Sequence, residues 1–263
     1  MSDRNWNLKF SHGIDLQRVE RGTRKGRRPF DGYTRGCGLQ FGNIAELCND
    51  DPIFKAAFEI AKGHTLVGSG CLMNLFMIMA FYMRNIESGH IVEFGCYRGG
   101  SALFMAFLAT RFFPGMRVFA FDTFAGMPQT DQAIDLHKSG DFKDTNLESV
   151  RAYARSLNLE NIEFIPGRFE DCAVSSLARI GKVALVHIDC DIYSAIACAY
   201  DACKPHLVTG GYVVFDDPLM SSCLGAFEAV EEFLIRRDNL RAEQAHPHLV
   251  FRYPPLSDIG AEK

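Results

Sequence analysis

What this sequence lacks narrows its class before its motifs are read. No C-x-x-C pair occurs among its nine cysteines, which are odd in number and scattered. Several of them, Cys96, Cys190 and Cys203, sit inside apolar runs. That pattern excludes a disulfide framework and leads us to expect reduced thiols in a cytoplasmic protein. The N-terminus, Met1-Ser2-Asp3-Arg4-Asn5-Trp6, lacks the apolar core of a secretory signal. The longest apolar-rich stretch, Cys71 to Met83, contains Asn74 and falls short of the roughly 20 residues a membrane helix needs. Charge of either sign is not in excess: the net −4 is too mild to argue for a nucleic-acid or membrane partner. No internal repeat is visible. The dinucleotide fingerprint G-x-G-x-x-G and the Gly-Lys-Ser/Thr of a P-loop are both missing, which argues against NAD and ATP.

What is present is a large apolar fraction, 48% of 263 residues, enough for one sizeable domain with a full core. Strand-like runs alternate with helical spacing. The strands are expected at Ile91 to Gly95, Arg117 to Asp122, Ile162 to Pro166, Val183 to Ile188 and Gly210 to Phe215, with two final antiparallel strands between Leu240 and Tyr253. Such alternation predicts a doubly wound α/β sheet. Ahead of it, residues 41–88 have helical spacing, with Pro52 splitting or starting a helix, and should pack as a cap beside the active edge. Residues 1–40 are polar and rich in Gly and Arg. The run Arg18 to Arg28 reads as a mobile basic arm, either solvated, covering a neighbouring subunit of a homo-oligomer, or clamping an anionic substrate. Residues 89–256 are expected to form the core.

Two strands end in paired acids. Val183-Ala184-Leu185-Val186-His187-Ile188 runs into Asp189 and Asp191, whose strand spacing lets them point the same way. Gly210 to Phe215 runs into Asp216 and Asp217. In neighbouring parallel strands, four acids would crowd one edge, and like charges so placed call for protonation or a cation. An all-oxygen set suits a hard cation such as Mg2+. Asp122, ending the second strand, stands where such folds hold ribose hydroxyls. The loop from Glu93 through Gly95, Gly99 and Gly100 to Ser101 joins a strand to a helix N-terminus. It suits a ligand with a carboxylate and no pyrophosphate, such as S-adenosylmethionine. The long connection Thr123 to Asn146 reads as a lid or specificity loop. His187, inside its strand, reads as a core histidine, with His187 and His137 in reserve as alternative bases.

Several segments together resemble the macrocin O-methyltransferase family, Mg2+-dependent enzymes that use S-adenosylmethionine to methylate sugar hydroxyls of natural products. They are Glu93-Phe94-Gly95 with Arg98-Gly99-Gly100-Ser101, Phe121-Asp122-Thr123-Phe124-Ala125-Gly126-Met127-Pro128, Gly140-Asp141-Phe142 with Asp144-Thr145, Pro166-Gly167-Arg168-Phe169, His187 to Tyr193, and Gly210-Gly211 with Phe215-Asp216-Asp217. The resemblance runs from about residue 90 to 236. It implies a class I methyltransferase sheet of seven mostly parallel strands, the last antiparallel. It further implies that Glu93, Gly95 and Ser101 contact the methionine part of the cofactor, with Asp189 beside it. Asp122 would hold the ribose, and Gly167, Arg168 and Phe169 would lie near the adenine. Asp189, Asp216 and Asp217 would hold the metal, and Asp191 would be the general base. Arg168, where the family often has an aromatic, and Pro218 after the acid pair depart from the pattern. The acceptor expected is a small molecule with hydroxyl groups, most simply a sugar. Alternatives are a catechol-type phenol as acceptor, a non-catalytic S-adenosylmethionine-binding protein, and a metal-dependent hydrolase.

Overall fold

The apolar runs pair with one another in a single sheet. The computed structural model describes residues 6–10 and 14–257. Within them the helices are α1 (Pro29–Phe41), α2 (Ile44–Asp50), α3 (Pro52–Ala61), α4 (Ser69–Met77), α5 (Gly100–Phe112), α6 (Leu147–Ser156), α7 (Phe169–Ile180), α8 (Tyr193–Cys203) and α9 (Leu224–Ala229). The strands are β1 (His90–Phe94), β2 (Val118–Asp122), β3 (Ile162–Pro166), β4 (Val183–Ile188), β5 (Leu207–Phe215) and β6 (Leu249–Tyr253). Their order across the sheet is β3-β2-β1-β4-β5-β6, parallel except for β6, which runs antiparallel to β5.

All six residues of β4 are buried, as an apolar run covered on both faces should be. Alternate side chains serve two cores. Val92, Phe94, Val186, Ile188, Val213 and Phe215 pack with α7, α8 and α9. Ile91, Leu185, Tyr212 and Val214 pack with α3, α4, α5 and α6 on the other face. The chain winds outward from β1 through β2 and β3, then restarts at β4 beside β1. That reversal opens a crevice at the carboxyl ends of β1 and β4, the place where open α/β sheets take ligands. Pro52 begins α3, as its fixed φ favours, and Asp51 caps the helix by accepting from the backbone N–H groups of Ile53 and Phe54.

Two expectations change. Among the described residues the sheet has six strands, because Leu240 to Tyr253 supplies only β6. The segment before it meets β6 at one isolated bridge, Gln244 to Val250. There the N–H groups of both Glu243 and Gln244 point at the one Val250 carbonyl, at 2.7 and 3.4 Å, so the pairing does not continue as a regular ladder. Second, the expected arm over residues 1–40 is, from Pro29 onward, the helix α1. Residues 1–5 and 11–13 of that arm lie outside the described residues. Glycines at 32 and 36 make α1 a poor helix by propensity, but they let its backbone lie directly on the 243–246 segment. A Cβ at Gly32 would stand 1.8 Å from the Glu243 carbonyl oxygen, and one at Gly36 2.9 Å from that of His246. The helix carries Arg35 into the interior, fully buried, where its Nη2 donates to Glu243 Oε1 at 2.8 Å and its guanidinium lies over the Tyr82 ring. Upstream, the basic run is tied to the same segment: Arg27 Nη1 donates to the Ala242 carbonyl and the Arg28 N–H donates to Glu243 Oε2.

Candidate active site

The register of the sheet delivers the acids to one edge. β4 and β5 pair up to Ile188 and Phe215. Asp189 then donates its N–H to the Phe94 carbonyl at 2.9 Å, and Asp216 donates its own to the Ile188 carbonyl at 3.2 Å. Both acids thus leave the sheet side by side. Gly95, just past β1 with φ +87°, lies so close to this turn that a Cβ there would stand 1.7 Å from the Asp189 carbonyl oxygen. Only glycine fits between the β1 and β4 ends.

The four acids divide into three and one. Asp189, Asp216 and Asp217 each offer a carboxylate oxygen, all within 4.8 Å of one another. Burial, and then repulsion from Asp217 and Asp216, pushes the Asp189 carboxyl well above the ordinary range. Burial followed by repulsion from Asp191 and Asp216 does the same to Asp217. Three crowded carboxylates, two of them with raised proton affinity, are the donor set for a hard divalent cation. Asp191 stands beside them on a separate turn. β4 ends at Ile188 and Asp191 has φ +59°, so strand alternation does not set its direction, contrary to the spacing argument. Its N–H donates to Asp217 Oδ2 at 2.9 Å, while its Oδ1 lies 3.5 Å from His137 Nε2 and accepts from the Cys223 thiol at 3.6 Å. Burial raises the Asp191 carboxyl, against the attraction of His137.

Asp216 differs from its neighbours. Burial alone would raise it, but the hydrogen bond from His248 Nε2 at 2.9 Å holds it down at about 2. Burial keeps the His248 ring below its ordinary range. Its Nδ1 faces a donor, Asn74 Nδ2 at 3.1 Å, which assigns the ring proton to Nε2 and Asp216. Asn74 Oδ1 accepts from Gln244 Nε2, and Gln244 Oε1 accepts from Arg35 Nε. A one-way line of donors thus runs from the buried arginine of α1 to a carboxylate of the three-acid group. Partners of this kind fix the orientation of ligating side chains.

A cavity of about 290 Å³ lies over this edge. Gly95, Ser101, Asp122, Arg168, Phe169 and all four acids line it. Asp122 is fixed by two backbone donors, the N–H of Tyr97 to Oδ2 and that of Phe124 to Oδ1. Phe169 starts α7 and packs edge-on against Phe94, whereas Arg168 is paired with Glu170 on the surface side. Two expected residues are not on the lining: Gly167, and Glu93, which is fully buried. Glu93 and His187 are register partners on β1 and β4, and Glu93 Oε1 meets His187 Nδ1 at 2.8 Å. The strand alternation that hides His187 as a core histidine also turns Glu93 inward.

The connection from Thr123 to Asn146 folds over the cavity, to which it contributes Met127, Pro128, His137 and Phe142. Asp135 anchors it by accepting from the Tyr193 N–H at the start of α8. Thr65, Leu66 and Val67, between α3 and α4, close the opposite side. Cys223 and His248 had no signal in the sequence. Each reaches the acids from a separate segment, and only the fold brings them there.

The matches to known proteins agree with this architecture. The O-methyltransferase NovP has a solved structure that superposes with a TM-score of 0.63 at 24% identity, covering 80% of this chain and 94% of that one. An enzyme of Streptomyces olivaceus described as 8-demethyl-8-(2,3-dimethoxy-alpha-L-rhamnosyl)-tetracenomycin-C 4'-O-methyltransferase is 32% identical over 62% of this chain and 66% of its own length. The demethyldecarbamoylnovobiocin O-methyltransferase of Streptomyces niveus is 29% identical over 68% of this chain and 70% of its own length. The family described as Macrocin-O-methyltransferase (TylF) matches residues 55–242, well over half of the sequence. The chain therefore belongs to the macrocin O-methyltransferase family of enzymes.

Proposed function

We propose that this chain transfers a methyl group from S-adenosylmethionine to a sugar hydroxyl of a glycosylated natural product, with Mg2+ held by Asp189, Asp216 and Asp217. The division of the four acids carries the reading. Three carboxylates converge on one another, and the fourth, Asp191, faces the cavity from a separate turn. When bound, Mg2+ supplies the charge that offsets the crowded carboxylates and lowers the pKa of a nearby alcohol. S-adenosylmethionine, when bound, supplies an electrophilic methyl group on a sulfonium.

The chain's own residues do the rest. Asp191 accepts the proton of the acceptor hydroxyl, and its burial-raised carboxyl is a better base for that purpose than an exposed one. His137 and Cys223 hold its Oδ1 edge in place. Asp122, with one backbone N–H anchoring each of its oxygens, is oriented to take a ribose diol. The loop over the cavity keeps water from the reacting atoms. Leu66 and Met220 line the cavity yet stay exposed, 72% and 58%. An apolar rim around a polar floor suits an acceptor that joins a sugar to an apolar aglycone. The rhamnosyl-bearing acceptor in the name of the similar Streptomyces olivaceus enzyme supports the same choice.

S-adenosylmethionine at about 100 times its Kd is expected to raise the melting temperature by roughly 5–10 °C, with NAD and ATP giving no shift. Asp122→Ala should lose most of that shift through its ribose contacts. Thermal denaturation of both proteins checks this, and a full shift in the variant would place the ribose elsewhere.

A further inference from the structure

Beside the three-carboxylate group lies a second cluster of different chemistry. His137 Nε2 is 3.5 Å from Asp191 Oδ1, Cys223 Sγ is 3.6 Å from the same oxygen, and Cys223 Sγ is 3.9 Å from His137 Nε2. A tetrahedral zinc ion with bonds of about 2.0 Å to N and O and 2.3 Å to S sets its donor atoms roughly 3.3–3.6 Å apart. The observed triangle matches one face of that tetrahedron to within about 0.3 Å.

The surroundings of His137 point the same way. Its Nδ1 lies 3.4 Å from Asp141 Oδ2, the carboxylate–histidine arrangement that leaves a lone pair on Nε2 for a metal. We infer that His137, Asp191 and Cys223 form a binding site for a borderline-soft divalent cation such as Zn2+, distinct from the all-oxygen group of Asp189, Asp216 and Asp217. Mixed N, O and S donors select such ions over Mg2+, and three protein ligands leave one coordination position open.

The three ligands come from the loop over the cavity, the turn after β4 and the residue that precedes α9, so the ion fastens the loop to the sheet edge. Binding displaces the thiol proton to solvent and changes no oxidation state. It also occupies Asp191 Oδ1. Zn2+ is therefore an inhibitor that Mg2+ does not relieve. The inhibition rests on the proposed role of Asp191 as base, whereas the binding does not.

Co2+ is the probe, added to protein already saturated with Mg2+. A thiolate ligand gives a sulfur-to-cobalt charge-transfer band and tetrahedral visible bands, which an all-oxygen site cannot produce. One equivalent of Co2+ is expected to raise these bands in the unaltered protein and in Cys71→Ser. Cys71 is the necessary control because it forms another candidate group with Asp216 and His248. Cys223→Ser should abolish the charge-transfer band and weaken Zn2+ binding roughly tenfold or more, measured against a chromophoric chelator. His137→Gln should weaken Zn2+ binding likewise and carries the test if Cys223→Ser fails to fold. Absence of the band from the unaltered protein, its survival in Cys223→Ser or its loss in Cys71→Ser would overturn the site. Zn2+ binding that depends on Cys223 but leaves methyl transfer unaffected would sustain the site and overturn the assignment of Asp191 as base.

Discussion

Asp191→Asn is expected to cut methyl-transfer turnover by roughly 10²- to 10⁴-fold, the usual cost of removing a general base, while Mg2+ affinity stays near that of the unaltered protein. The substitution is suited to separating the two roles. Asn tolerates the left-handed backbone found at φ +59°, and the backbone N–H that supports Asp217 Oδ2 survives it. Asp189→Asn, by contrast, removes a charged oxygen from the three-carboxylate group and should lose both Mg2+ affinity and turnover. Calorimetric Mg2+ titration paired with steady-state kinetics reads the difference. Equal loss of metal affinity in the two variants would make Asp191 a ligand and send the search for the base to His137.

Glu243→Ala is expected to destabilise the fold by about 3–5 kcal/mol, the range for removing one member of a buried ion pair. Glu243 is fully enclosed and receives Arg35 Nη2 at 2.8 Å, Arg252 Nε at 3.1 Å and the Arg28 N–H at 3.0 Å. Its removal takes the directly bonded counter-charge from two buried guanidinium groups and leaves them only the partly buried Asp31 nearby. Burial alone would raise the Glu243 carboxyl, but Arg252 and Arg35 outweigh it and lower the pKa below the ordinary 4.5. A depressed carboxyl contributes stability in full above its unfolded pKa and loses it as pH falls through the folded one. The deficit of the variant should thus shrink in acid, below about pH 4.5. Urea unfolding at pH 7 and pH 4 measures both effects. A loss below 1 kcal/mol at pH 7 would mean that α1 is not held by this cluster.

The sheet and its acid edge could be read from the sequence because their signals are local. A run such as Val183 to Ile188 shows its burial in its own residues, and the acids follow within three positions. Asp122 was legible for the same reason, as the last residue of β2. The helix α1 was not, because Gly32 and Gly36 lower its propensity and pay off only against a segment two hundred residues away. The expected seventh strand stops at a single bridge, where the N–H groups of Glu243 and Gln244 share the Val250 carbonyl, an irregularity that no residue pattern announces. Glu93 sits beside a glycine turn, which drew it to the cofactor, yet its register with His187 turns it into the core. Cys223 and His248 act on Asp191 and Asp216 only through tertiary contact, and no spacing in the chain announces them.

Labelled methyl transfer from S-adenosylmethionine to a rhamnosylated natural product, followed as chelator-treated protein is titrated with Mg2+, bears most directly on the proposed function. Transfer should be absent without metal, rise saturably with Mg2+ and stay near zero throughout in Asp189→Asn. Full-rate transfer in excess chelator, or transfer to a catechol with none to the glycoside, would contradict it.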